Sequence, residues 1–126
     1  MEETYIPGTC NIGEKEIAHR KAPLKYSLIV CAVLIAFIQL AGLSKGWRLL
    51  LFIPASIVAI TYQQCYFRFC VSFGLRGFYN FGEVGKLNTV EQPGDAKKDR
   101  SKTWQMIGAA VLFGILTTVA YYFLPV

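Results

Sequence analysis

The sequence predicts an all-α membrane protein with three transmembrane helices, a short amphipathic N-terminal segment and a cytoplasmic loop rich in aromatic residues and glycine. Three apolar runs carry this prediction: 24–43, 49–69 and 104–125. A helix rises about 1.5 Å per residue, so roughly 20 apolar residues cross ~30 Å of hydrocarbon. Because backbone polar groups cannot stay unpaired in lipid, runs of this length are expected to be helical.

The composition supports a single membrane domain over 1–126. Hydrophobic residues make up 54% of the chain and its mean hydropathy is +0.40, above the roughly 45–50% apolar content of soluble domains. The polar stretches 1–23 and 70–103 are too short for a separate soluble domain. A polar arm precedes the first apolar run, unlike the short basic region of a secretory signal, so this run is predicted to be retained as a span.

Basic residues predict the orientation of the spans. Eleven of them lie before the first run, between the second and third runs, or at the adjoining ends of the first two runs (Lys25 and Arg68), whereas only Lys45 and Arg48 lie between the first two. Loops rich in Lys and Arg stay in the cytoplasm. The N-terminus and the loop 70–103 are therefore predicted to be inside and the C-terminus outside, in a bacterial cytoplasmic membrane.

Small residues recur one turn apart in each apolar run. They are Ala32 and Ala36 in the first, Ala55 and Ala59 in the second, and Ala110, Gly114 and Thr118 in the third. Small residues let helix backbones approach closely in lipid. The third row is the best candidate, and two interpretations stay open: packing within the bundle, or docking of another membrane protein.

The polar residues at membrane depth are few. Gln39, Gln63 and Gln64 lie near the ends of their runs, where facing the headgroups is favoured over hydrogen bonding between helices. No Asp, Glu, Lys or Arg lies in the middle of a run. Because transporters commonly need ionisable residues there, the pattern argues against a proton-coupled carrier.

Aromatic residues alternate with glycine and arginine after the second run. This predicted interface segment comprises Phe73, Gly74, Arg76, Gly77, Phe78 and Phe81. Interleaved arginine and aromatic residues also suit single-stranded nucleic acid. Directly after a span, however, packing at the membrane interface is favoured, against the bundle or an adjoining subunit, and no nucleic-acid partner is predicted.

Two further cytoplasmic stretches have distinctive compositions. Residues 10–21 combine apolar side chains with mixed charges, which suits a short amphipathic helix on the membrane surface. A positively charged flank that orients the first span is the favoured interpretation. Residues 86–102 contain a Pro-Gly pair and dense charges, which favours a flexible loop.

Cysteines offer a chemical alternative. Cys10, Cys65 and Cys70 fall on the predicted cytoplasmic side, where thiols stay reduced. Together with His19 they would supply a Cys₃His set for zinc or another soft metal if the arm folds back onto the second span. The spacing argues against it, because residues five apart on a helix point to different faces. No other cofactor is expected.

Six short motifs flank the first two spans: Cys10-Asn11-Ile12-Gly13, Glu16-Ile17, Phe69-Cys70, Phe73-Gly74, Arg76-Gly77 and Asn80-Phe81-Gly82. Together they resemble a pattern in small uncharacterised bacterial integral membrane proteins, a resemblance that implies no particular activity. Three spans with four cysteines also invite comparison with the small mercuric-ion transporters. Those carry an adjacent cysteine pair in the first helix, where this chain has only Cys31.

These patterns favour a non-enzymatic protein that serves as an accessory subunit or assembly factor of a larger membrane complex. Its expected partners are membrane lipids and other integral membrane subunits. A cytoplasm-facing cysteine site that binds or passes a soft metal is the alternative, and a homo-oligomeric pore is a weaker one.

Overall fold

The computed structural model describes residues 5–125, which are mostly helical. The elements are α1 (Glu14–Leu40), a 3₁₀ segment (Lys45–Leu51), α2 (Phe52–Phe67), α3 (Val71–Arg76), β1 (Phe78–Tyr79), β2 (Asn88–Thr89) and α4 (Pro93–Tyr122). The two strands form an antiparallel ladder that pairs Phe78 with Thr89. We call residues 5–13 and 68–92 the cap, because they lie together at one end of the three long helices.

The prediction of three long apolar helices is confirmed. Helix α1, the 3₁₀ segment with α2, and α4 are each long and apolar enough to cross a membrane, judged by length and composition. Pro54 is the third residue of α2 and lies in its first turn. An N–H group is not needed for the helical hydrogen bonds there, so proline is tolerated.

The predicted boundaries on the cap side were wrong in two places. Helix α1 already begins at Glu14, so residues 14–21 form its first turns and not a separate surface helix. Helix α4 begins at Pro93, so the flexible loop predicted for 86–102 ends ten residues early. Proline is favoured at the first position of a helix, and Asp95 in the first turn suits the positive end of the helix dipole. The Pro-Gly pair thus marks a helix start.

Helix α2 lies between the other two long helices. It packs extensively against both α1 and α4, whereas α1 and α4 make few contacts with each other in the described chain. The row Ala110, Gly114 and Thr118 is buried, and Gly114 lies against Ser56 and Phe52 of α2. Gly114 of this row therefore packs within the bundle.

The end of the bundle away from the cap has its own core of Ile38, Leu51, Ala55 and Tyr121. The Arg48 side chain is buried there and donates hydrogen bonds to the carbonyl oxygens of Tyr121 (2.8 Å) and Leu124 (3.0 Å). Its charge thus meets the negative end of the α4 dipole. The sequence had suggested only a loop cation at this position.

The glutamines were expected at the headgroups, but they join elements of the protein. Gln39 donates to the Tyr121 hydroxyl at 2.9 Å and Gln63 donates to the Met106 carbonyl at 3.0 Å. The Gln64 side-chain oxygen accepts from the Val71 N–H at 3.3 Å. An amide close to a neighbouring helix satisfies its donors there without needing solvent.

Candidate functional site: a buried polar ring in the cap

The N-terminal arm, residues 5–13, joins the end of α2 through Asn11, which is fully buried. Arg68 adopts a left-handed conformation at the end of α2 (φ 55°) and turns the chain. Its carbonyl then accepts from the Asn11 N–H at 3.0 Å. The Asn11 side chain pairs with the Cys70 backbone: its oxygen accepts from the Cys70 N–H at 2.7 Å and its Nδ2 donates to the Cys70 carbonyl at 3.2 Å.

Asn80 binds the other side of the arm. Its N–H donates to the Asn11 carbonyl at 2.8 Å, and its carbonyl accepts from the Gly13 N–H at 2.9 Å. The Asn80 Nδ2 donates to a Glu16 carboxylate oxygen at 3.0 Å and to the Glu83 carbonyl at 2.6 Å. One asparagine therefore connects the arm, the first turn of α1 and the loop after β1.

Glu16 and Arg20 complete the connection. An Arg20 nitrogen donates to the second Glu16 carboxylate oxygen at 2.7 Å, and another lies 2.9 Å from the Cys70 sulfur. The Arg20 guanidinium also lies over the Phe73 ring, 5.5 Å from its centroid. Contacts thus run from Asn11 to Cys70, Arg20, Glu16 and Asn80 and back to Asn11. We call these five residues the polar ring.

Apolar side chains surround the polar ring. Ile12 and Phe73 form a buried cluster with Cys70 of the ring, and Ile17 and Phe78 pack against it. Breaking a charge pair in such surroundings leaves the remaining charge without compensation, which is strongly unfavourable. The ring therefore fixes the arm, the start of α1 and the α2–α3 junction in one arrangement.

A second buried contact ties the arm to α4. Asp99 is fully buried and accepts hydrogen bonds from the Tyr5 hydroxyl at 2.5 Å and the Gly8 N–H at 2.7 Å. Burial, followed by the hydrogen bond to Asp99, raises the pKa of Tyr5 well above its usual range. The Tyr5 ring stacks on Tyr79, with 4.6 Å between centroids.

The four residues proposed as metal ligands lie in different surroundings. Cys10 pairs with Ile6 in the arm, Cys65 lies in α2, His19 is exposed on α1, and the Cys70 sulfur faces Arg20. Within residues 5–125, no three His, Cys, Asp or Glu residues form a group that could hold a metal ion. The structure does not assemble the predicted set.

The predicted interface segment lies against the bundle, one of the two surfaces expected for it. Phe73 is buried, and Gly74 lies so close to Thr103 and Phe69 that a Cβ atom would clash. Gly77 ends α3 with a φ of 76°, a conformation that glycine adopts without strain.

The remaining members of the segment lie at the edge of the cap. The Arg76 guanidinium lies over the Phe78 ring at 5.2 Å from its centroid, and Arg76 Nε donates to the Ser72 carbonyl. Phe81 contacts Tyr79, with 6.4 Å between ring centroids. Arginine and aromatic residues thus pair with each other inside the segment.

Sequence reasoning missed the polar ring as a unit, although a signal was present. Asn11, Glu16, Cys70 and Asn80 all belong to the six short motifs noted in the sequence. Asp99 carried no such signal, because it lies in a dense run of charges. The chain matches no protein-family model, no curated protein and no solved structure with which it was compared.

Proposed function

We propose that this chain is a non-enzymatic integral membrane protein that serves as an accessory subunit or assembly factor of a larger complex in a bacterial cytoplasmic membrane. The observation that carries the proposal is the exposure of α1. Only 11% of its most apolar 18-residue window is buried, against 28% in each of the other two long helices.

The exposed face of α1 has the composition of a helix-docking surface. Ala32 and Ala36 are exposed one turn apart, beside Val33 and Phe37. The row in α4, by contrast, is already used against α2. Because small residues allow close helix approach in lipid, the free α1 face fits a transmembrane helix of a partner.

The cap supports this role by holding α1 at its base. Glu16 and Arg20 lie in the first two turns of α1, and both belong to the polar ring. A helix fixed at one end presents its exposed face in a constant direction, which lowers the entropic cost of docking. The ring thus favours a structural role over a catalytic one.

Charge supports the proposed orientation. The cap end carries eleven of the 13 basic residues, which favours placing it in the cytoplasm with the C-terminus outside. The middles of all three apolar runs lack acidic and basic residues, and this supports a role other than proton-coupled transport.

Blue-native electrophoresis of mild-detergent extracts tests the proposal. We expect the native chain to migrate in an assembly larger than its own oligomers, and the Ala32→Leu, Ala36→Leu variant to leave that assembly. Gly108→Leu is the matched control, since Gly108 is exposed on α4 and a Cβ there meets nothing within 4 Å. Migration of the native chain only as a monomer or homo-oligomer would contradict the proposal.

A further inference from the structure

A long apolar groove separates α1 from α4. On the cap side it widens into a cavity of about 670 Å³, lined by Leu24 and Leu28 of α1, Ala59 and Tyr62 of α2, and Ala109 and Phe113 of α4. A second cavity of about 680 Å³ continues toward the other end, past Ile35 and Leu116. Both volumes fall within the roughly 300–1,000 Å³ typical of ligand sites.

Two lysines lie on the cap side of the groove, one on each of the helices that flank it. Lys21 precedes Leu24 by three residues and therefore shares its helix face, and Lys102 lies two turns before Ala109 on the corresponding face of α4. The Lys102 ammonium lies 3.9 Å from the centroid of Phe67, at the end of α2. Each of the two helices that flank the groove thus carries one lysine on its cap side.

These lysines are available to an anion. Within residues 5–125, neither Lys21 nor Lys102 forms an ion pair, whereas Arg20 beside them is paired with Glu16. The Tyr62 side chain is 58% exposed, and in the described chain its hydroxyl has no hydrogen-bond partner. The cap side of the groove therefore combines two cations with a hydroxyl donor above an apolar cavity.

We propose that this groove binds an anionic phospholipid. One acyl chain fills the cavity between Leu28 and Ala109, and the phosphate lies between the Lys21 and Lys102 ammonium groups. Basic pockets between transmembrane helices on the cytoplasmic side are suited to anionic headgroups. The inference requires the proposed insertion in a bilayer but no partner subunit.

A lipid fits the groove better than a helix does. Phe113 lines both cavities and its side chain is 47% exposed, so it projects into the groove between them. A helix about 10–12 Å wide would meet this ring along its length, whereas a flexible acyl chain passes around it. The two lysines complement the negative charge of a phosphate, whereas an apolar partner helix offers them no opposite charge.

Native mass spectrometry of the purified full chain in mild detergent tests the proposal. The probes are dioleoyl phosphatidylglycerol, which is anionic, and dioleoyl phosphatidylcholine, which has the same acyl chains and no net charge. We expect the native chain to bind the anionic lipid at least about 10-fold more tightly. Lys21→Gln with Lys102→Gln should weaken that binding about 25-fold and abolish the preference, since each basic residue near a headgroup contributes roughly five-fold.

Two matched control variants distinguish the loss of a lysine charge or of cavity volume from a general loss of structure. Lys97→Gln removes an exposed α4 cation off the groove face and should bind lipid like the native chain. Ala109→Trp fills the cavity and should weaken binding of both lipids, whereas Ala36→Trp, exposed away from the groove, should weaken neither. Circular dichroism of each variant confirms that it is folded.

Three results would overturn the proposal: equal binding of the two lipids by the native chain, equal behaviour of the Lys21, Lys102 double variant and Lys97→Gln, or unchanged lipid binding in Ala109→Trp. If Ala109→Trp instead removed the chain from a larger assembly without affecting lipid binding, the groove would be a protein-docking site. The test uses isolated protein, so its result is independent of whether the exposed α1 face recruits a subunit.

Discussion

The cap and the bundle are held together by different kinds of contact. In the cap, polar side chains that are distant in sequence close on one another, as Asn11 does with Cys70. In the bundle, the helices meet through small residues, as Gly114 does with Ser56 and Phe52. Directional hydrogen bonds hold the cap together, and close backbone approach holds the long helices together. The two regions should therefore respond to different kinds of substitution.

The largest effect is expected at the polar ring, from Glu16→Ala. This change leaves the Arg20 guanidinium and the Asn80 amide without their shared acceptor, and losing one partner of a buried charge pair costs roughly 3–5 kcal/mol. We expect a loss near 3 kcal/mol, because part of Arg20 remains accessible. Chemical unfolding in detergent micelles measures it.

Glu91→Ala is the matched control, because Glu91 is exposed and surface substitutions usually change stability by about 0.5 kcal/mol or less. Adding Arg20→Met to Glu16→Ala should restore part of the stability by removing the uncompensated charge. Equal stability of Glu16→Ala and Glu91→Ala would mean that the polar ring does not hold the cap.

An intermediate effect on stability is expected in the bundle, where alanine at Gly114 and alanine at Gly108 should act in opposite directions. At Gly114 a Cβ would lie against Ser56 and 3.2 Å from the Phe52 carbonyl oxygen, whereas at Gly108 it meets nothing within 4 Å. Gly114→Ala should lower stability by about 1–3 kcal/mol through overpacking. Gly108→Ala should raise it by about 0.5–1 kcal/mol, since alanine favours helix. Thermal unfolding measures the stability of both variants. Stability changes of the same sign would contradict this packing.

The smallest effect concerns Tyr5 and depends on pH. Because the pKa of Tyr5 is raised by burial and by Asp99, the folded state keeps the phenol proton that the unfolded chain loses near pH ~10. This contribution is fully present below that pH and is lost as pH rises above it. Tyr5→Phe should cost about 1 kcal/mol near neutral pH, since Gly8 still donates to Asp99.

Unfolding measured between about pH 9 and pH 11 checks the sign. The native chain should lose stability with rising pH more steeply than Tyr5→Phe, and Tyr66→Phe, at a site 69% exposed, should follow the native chain. Parallel curves for all three proteins would show that the Tyr5 hydroxyl does not link the arm to α4.

The sequence did not predict the polar ring as a site, although local pattern marked several of its residues. The six motifs contain four members of the polar ring, and Cys70 was singled out for its chemistry. Its partners were not predictable, because Arg20 is 50 residues away and Asn11 is 59 residues away in the chain. The same limit applies to Tyr5 and Asp99, separated by 94 positions. Residue type indicated polar chemistry, and only the fold showed which groups meet.

The sequence by itself determined three long apolar helices, because hydropathy and helix formation depend on residues that are near neighbours in the chain. Only the tertiary structure decided which small residues are buried, where the glutamines find partners, and that Glu16, Arg20, Asn80 and Cys70 join one ring of contacts. These outcomes depend on how α1 and α4 lie against α2, and a one-dimensional pattern does not contain the geometry between helices.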